Sequence, residues 1–268
     1  MEKTFPLSGP INLQVRIPRG RVAIEANDGL AEARVVITPK NKKSDVLERA
    51  IVEMRGSTLL VQTPRQGGIF DLPIFGKRDQ DELDVLVVVP SGTPIKVSTF
   101  VAAIVVRGRS GSADIAFGAS EAGLENVDGD LRLRYGSGTV RAVQVSGAVE
   151  MRSGSGDVHL GEVGGPISAG CGSGTLEVRL ARGSVRSRTG SGSAKIGAAH
   201  GDIDVVSGSG NLQIGLPEGV TAHLDVTSGS GRVESDLPIE DAPRPTKSKA
   251  INLRARTGSG SVRLFRAA

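Results

Sequence analysis

The feature that most constrains this chain is a spacing. Gly-Ser-Gly begins at Gly136, Gly154, Gly172, Gly190 and Gly208, each start 18 residues after the one before. A second glycine column, Gly111, Gly129, Gly147, Gly165, Gly183, Gly201 and Gly219, keeps the same step of 18. Two columns holding one register over several intervals define an internal repeat. After Gly208 the spacing loosens, to Gly229 and Gly258, 21 and 29 residues on. The late coils therefore carry insertions.

Between the glycines lie two short segments per repeat that alternate apolar and polar residues. The first includes Val140-Arg141-Ala142, Val158-His159-Leu160, Leu176-Glu177-Val178, Ala194-Lys195-Ile196 and Leu212-Gln213-Ile214; the second includes Val149-Glu150-Met151, Ile167-Ser168-Ala169, Val185-Arg186-Ser187 and Ile203-Asp204-Val205. A period of two marks a strand with one buried face. Glycine every few residues and the lack of an apolar i, i+3, i+4 stripe argue against helix. Repeats of equal length stack their equivalent residues, so each strand pairs in register with its copy one coil later. The fold class is all-β: a single parallel β-solenoid, or β-helix, with its 18-residue repeat in residues 111–219. Glycine marks corners that need positive φ or close backbone approach. Two corners per coil favour a flattened, two-faced coil, with a three-sided coil as the alternative, and right-handed connection is the default for parallel strands.

The first hundred residues read as degenerate coils of the same design. Ile11 to Ile17, Gly20 to Glu25, Ala33 to Thr38, Thr58 to Gln62, Leu83 to Val89 and Ile95 to Ser98 supply the strands. Counting strand pairs predicts roughly eleven coils in one domain, residues 1–268. Residues 40–82 interrupt it as an insertion, with a short helix at Ser44 to Ala50 and an apolar loop from Pro64 to Glu82. Residues 235–249 form a loop insertion in a late coil.

Composition narrows the functions. Only 3% of residues are aromatic, with one tyrosine and no tryptophan. That disfavours stacking platforms for sugars or single-stranded nucleic acid. A formal charge of +4 is a mild bias, and no basic run is long. The single cysteine, Cys171, cannot form an internal disulfide, so stability must come from packing. Met1-Glu2-Lys3 is followed by mixed sequence without the apolar core of a secretory signal. The stretch Val85 to Val89 is too short to span a bilayer. A cytoplasmic protein without a transmembrane segment is the expectation.

Several runs resemble a known group. Pro10-Ile11 leads into a strand, Gly20-x-Val22-x-Ile24 is followed by Asn27-Asp28, and Val35-x-Ile37-x-Pro39 comes next. With the repeated Gly-x-Gly strands and the closing Leu253-Arg254-Ala255-Arg256-Thr257-Gly258-Ser259-Gly260-x-Val262-x-Leu264, the whole chain resembles the bacterial adhesin-like family of β-strand-repeat proteins, domain of unknown function 4097. The resemblance implies a β-helix and brings no catalytic residues with it.

No residue pattern reads as a reaction centre. Gly190-Ser191-Gly192-Ser193-Ala194-Lys195 lacks the Gly-Lys-Ser/Thr and following helix of a phosphate loop. The position after each corner reads Thr139, Asp157, Thr175, Ser193 and Asn211, too few carboxylates for a calcium cage. The serines Ser137, Ser155, Ser173, Ser191 and Ser209 read as turn hydroxyls bonding local backbone. His159, His200 and His223 occupy different columns, and Asp157, Glu177 and Asp204 are scattered. The chain is therefore expected to be no enzyme and to take no cofactor or metal.

Two features remain as candidate partner contacts. Arg134, Arg152 and Arg188 share one column and would form a basic stripe; Ile69, Phe70 and Phe75 lie in the dense apolar loop of the insertion. The reading is a structural or scaffolding solenoid that self-associates or binds another protein, since open solenoid ends need partners. An adhesin-like ligand-binding module at the cell envelope is the first alternative, and a polysaccharide-active β-helix enzyme the second. Nucleic acid is disfavoured as a partner, and membrane-surface contact is the weaker electrostatic option.

Overall fold

The computed structural model describes residues 1–41, 46–63, 82–237 and 250–267. They form an all-β protein in two compact units, Met1–Glu125 and Asn126–Ala268.

The first unit contains β1 (Glu2–Pro6), β2 (Asn12–Asn27), β3 (Glu32–Pro39), helix α1 (Val46–Arg49), β4 (Ile51–Arg55), β5 (Thr58–Gln62), β6 (Leu83–Pro90), β7 (Ile95–Ser110) and β8 (Ala113–Val127). The last residues of β8 already belong to the second unit. β2 is central. Its first half pairs in parallel with β5 and with the start of β7, and from Gly20 onward it pairs with β6 and the rest of β7. Alternation in β2 buries Leu13, Val15, Ile17, Val22 and Ile24, none more than 2% exposed. Each such side chain contributes about 1.5–3 kcal/mol on burial.

Degenerate parallel coils were the expectation here, and the outer strands depart from it. β1 runs antiparallel to β3, β3 antiparallel to β6, and β4 antiparallel to β5. An antiparallel strand ends a ladder of equal repeats without needing another repeat beyond it. Lys3 on β1 donates its Nζ to the Val52 carbonyl of β4 at 2.9 Å. A lysine and Pro6 thus sit on an outer strand, a pattern that discourages further pairing.

The region 40–82 is partly built into the sheet. α1 covers four residues of the expected helix, and β4 and β5 make a hairpin that places Thr58–Gln62 against β2. Ile69, Phe70 and Phe75 of the expected apolar loop lie outside the described residues, as do residues 238–249 of the late loop.

The second unit contains β9 (Leu131–Val145), β10 (Val149–Val163), β11 (Ile167–Ala181), β12 (Val185–Ala199), β13 (Ile203–Ser209), β14 (Leu212–Leu216), β15 (Ala222–Ser230), β16 (Val233–Ser235), β17 (Ile251–Ser259) and β18 (Val262–Arg266). β9 to β12 pair in parallel, each residue opposite the one 18 positions on. The two short segments of each repeat are here one bent strand of 15 residues. Ser155, Ser173 and their equivalents stay paired through the bend. Gly174 shows why: its φ of 130° turns the strand while the residue stays paired with Gly192 of the following coil. At the other column the cause is different. A Cβ on Gly165 would lie 2.6 Å from the carbonyl carbon and oxygen of Gly147, so backbone crowding between coils selects glycine there.

The predicted inner columns are the core. Val140, Val158, Leu176, Ala194 and Leu212 are at most 5% exposed, and Val149, Ile167, Val185 and Ile203 at most 2%. Alternation breaks once more in each coil: Val143 and Gln144 are both exposed between buried Ala142 and Val145. Each coil therefore has three buried runs rather than the two that glycine spacing suggested.

The late coils depart from chain order. β13 pairs with β17 and β14 with β18; on the far side of that coil, β17 pairs with β15 and β18 with β16. The chain's last coil is thus inserted between the two that precede it, and among the described residues of this unit 222–235 are outermost.

Candidate interaction surface

The regular register sets the outward side chains of the second unit in columns. One column carries Arg134 and Arg152, passes Gly170, and continues with Arg188, Val206 and Arg256. The structure thus brings Arg134, Arg152 and Arg188 into one stripe, interrupted where the glycine and valine stand. Arg256 joins it only because β17 lies beside β13, which the loosened spacing hid. A second column, two residues earlier on each strand, holds Arg132, Glu150, Ser168, Arg186, Asp204 and Arg254, and ends at Asp225. The same 18-residue step could have revealed most of it.

The two columns interlock through carboxylates that each serve two guanidiniums. Glu150 meets Arg132 at 3.0 Å and Arg152 at 3.5 Å. Asp204 meets Arg188 at 3.3 Å and Arg186 at 3.7 Å. Asp225 accepts from Arg256 at 2.8 Å and Arg254 at 3.1 Å, and the hydrogen bonds from Arg254 and then Arg256 hold its carboxyl below the usual aspartate range. Such exposed pairs add little stability. They do fix the directions of six arginines, and each cluster keeps one positive charge in excess.

The other candidate groups have structural occupations. The Asp157 carboxylate accepts the backbone N–H of Thr175 at 2.8 Å, one coil on. Asn211 does the same for Ser261, and Asp130 for Ala148. Glu177 lies between Lys195 at 2.8 Å and His159 at 3.0 Å, and these two, Lys195 first, hold its carboxyl below the usual glutamate range. Asp204 stands in a different column on a different strand segment, so the structure does not gather the three acids. His200 and His223 are both exposed. Among the described residues no three His, Cys, Asp or Glu side chains could hold a metal ion together.

Corner carbonyls take hydroxyls from the column before the glycines, not from the expected serines. Ser207 donates to the Gly192 carbonyl at 2.9 Å, Thr257 to that of Gly210 at 3.0 Å, and Ser228 to that of Gly260 at 2.7 Å. Cys171 occupies this column: its thiol donates to the Ser173 carbonyl and lies 3.0 Å from the Ser153 hydroxyl. Ser155, Ser173, Ser191 and Ser209 point to solvent.

Tyr135 stands in the same column, 6% exposed, its hydroxyl 3.9 Å from the Met151 sulfur. Burial pushes its phenol up to about 12, against which a hydrogen bond with Ser153 pulls only partly. The neutral phenol therefore favours the folded state; that contribution is complete below the ordinary tyrosine value near 10 and is lost as pH climbs toward 12. With one tyrosine and no tryptophan in the chain, phenolate absorbance reports this group alone. The folded protein is expected to titrate near 12, and a midpoint near 10 without unfolding would contradict the burial.

Among the described residues no helix is long and apolar enough to cross a membrane. No curated protein matches the chain. Among solved structures it is similar to a "putative adhesin" of Bacteroides fragilis, at 12% identity over 98% of this chain and 96% of that one, with a TM-score of 0.42. A "putative lipid binding protein" of Parabacteroides distasonis has 13% identity over 98% and 96%, with a TM-score of 0.39. A "putative cell adhesion protein" of Clostridium sporogenes has 11% identity over 99% of both chains, with a TM-score of 0.26. The profile of the Toastrack DUF4097 family matches residues 12–267, from the first residue of β2 to the end of the last coil. Glycine-cornered coils stacked in parallel and a match spanning nearly all 268 residues lead to one assignment: the chain belongs to the Toastrack DUF4097 family.

Proposed function

We propose that this protein is a non-enzymatic scaffold whose coils associate with a second copy of the chain through the outermost coil of the second unit. The observation that carries this reading is the state of β15 and β16. Leu224 and Val233 continue the inner columns of Leu253 and Val262, yet they are 39% and 49% exposed where their column mates are 1% and 0%. Among the described residues, β15 and β16 find parallel partners on one side only, in β17 and β18. An edge with free backbone groups and apolar residues is a template for another strand. A two-fold pairing of β15 with its copy would satisfy both edges at once and close the assembly as a dimer.

Light scattering on the purified protein across a range of concentrations tests this. A dimer is expected that Leu224→Asp/Val233→Asp converts to monomer with the fold retained. A strict monomer at high concentration, or a dimer indifferent to the substitutions, overturns it. Fractionation of cells tests the cytoplasmic compartment that goes with this reading; recovery at the envelope would favour the adhesin-like alternative.

A further inference from the structure

We infer that the double arginine column of the second unit binds a linear acidic polysaccharide laid along the stack, across the strands. This face meets the β15–β16 edge only at Asp225 on its last rung and does not depend on self-association.

Charge is the first ground. The face carries seven arginines in its two columns against Glu150, Asp204 and Asp225, an excess of four positive charges. That equals the formal charge of the whole chain, +4, so the bias of the sequence is concentrated on one surface. The two carboxylates at the adjoining turn, Asp130 and Asp202, accept the backbone N–H groups of Ala148 and Asn252 and keep their charge, so with the turn included the excess is two. All seven arginines are exposed.

Shape is the second. Residues two apart on a strand are about 7 Å apart, and seven rungs at 4.7–4.9 Å spacing run for about 29 Å. A stripe this narrow and long matches a single extended polymer better than the breadth of a membrane. Six of the guanidiniums are also held in fixed directions by shared carboxylates, which suits anionic groups in fixed series and is wasted on mobile lipid headgroups. Arginine's planar fork fits a carboxylate or sulfate with two parallel hydrogen bonds.

Local chemistry is the third. Where Ser168 replaces a long side chain, a shallow cavity of about 390 Å³ opens, lined by Ser168, Ser184, Arg186, Asp202, Asn252 and Arg254 among others. Hydroxyl, amide and carboxylate groups beside two guanidiniums can bond the hydroxyls of a sugar as well as its charge. No aromatic side chain stands in either column, so neither a sugar ring nor a base has a stacking platform, and binding on this face rests on charge and hydrogen bonds.

The test uses the full chain and polygalacturonate as probe, by calorimetry at low and moderate salt. Uncharged glucan, oligothymidylate and vesicles containing phosphatidylglycerol serve as comparison ligands. Binding to polygalacturonate is expected at low salt, weakening steeply as salt rises. Arg186→Ala/Arg188→Ala/Arg254→Ala should lose about tenfold or more in affinity, while Arg141→Ala/Lys195→Ala/Arg263→Ala, which removes the same charge from another column, should lose little. Circular dichroism checks that both variants fold. No binding at low salt, or equal losses from both variants, overturns the proposal. Tighter binding to oligothymidylate or vesicles overturns the choice of polysaccharide. Leu224→Asp/Val233→Asp should leave polymer binding intact, so failure of the dimer and failure of this surface are separately visible.

Discussion

Gly174→Val is expected to cost about 3 kcal/mol or more, summing roughly 1–3 kcal/mol each for backbone strain and for overpacking. Gly174 has φ 130°, where a β-branched residue is strained whatever space surrounds it. Space is lacking as well. A Cβ there would run into the Gly156 carbonyl oxygen and come within 2.8 Å of its carbon and 2.9 Å of its nitrogen. Those atoms belong to the backbone of the preceding coil and cannot rotate away as a side chain would. Either the strand leaves its bend and loses pairing with both neighbours, or the ladder between β10 and β11 opens around it. At about 2–4 °C per kcal/mol for a chain near this size, the melting temperature should fall by roughly 10 °C. Lys195→Ala is the control. Its ammonium is exposed and pairs with Glu177 at 2.8 Å, and a surface pair of this kind is worth about 0–1 kcal/mol. Similar melting of the two variants, followed by circular dichroism, would contradict the account of the bend.

How much of this was legible in the residues depended on whether the repeat stayed constant. From Gly129 to Gly208 it did, and there the fold class, the inner columns and the Arg134–Arg152–Arg188 stripe follow from the spacing. Period two identifies which residues face inward, and equal length identifies which residues stack. Neither reveals where a strand bends while staying paired, so the 15-residue strands and the third buried run at Val145 were hidden. The antiparallel β1, β3 and β4 were hidden for a related reason: alternation is the same in either strand direction. Arg132 and Arg186 lie on the same constant step, in a column two residues before the Arg134 stripe whose mixed charges give no stripe of their own. Arg256 and Arg254 could not have been placed at all, since the insertions in the late coils remove the register that assigns neighbours. Ile69, Phe70 and Phe75 remain candidates from sequence alone.

The insertion of the last coil between its predecessors has a consequence for truncation. Removing residues 251–268 should unfold the second unit rather than shorten it. Were the coils stacked in chain order, that truncation would remove an end coil and leave the rest standing, as in other repeat proteins. Here it removes the coil against which both Ile203–Ile214 and the outermost strands pack. Leu253 and Leu264 are 1% exposed, and with Val262 they face Ile203, Leu212 and Ile214, at most 2% exposed. Exposing four or so large aliphatic side chains costs on the order of 6–12 kcal/mol at about 1.5–3 each. That is comparable to the whole stability of a typical domain, about 5–15 kcal/mol. A complementary deletion makes the argument sharper. Leu253 follows Ile203 by 50 residues, and excising residues 218–249, which number 32, restores the step to 18. That variant is expected to fold and melt cooperatively although it has lost more residues than the truncation, because its coils now follow one another in space as they do along the chain. A stable truncation together with an unfolded excision would show that β17 and β18 are not the inner coil.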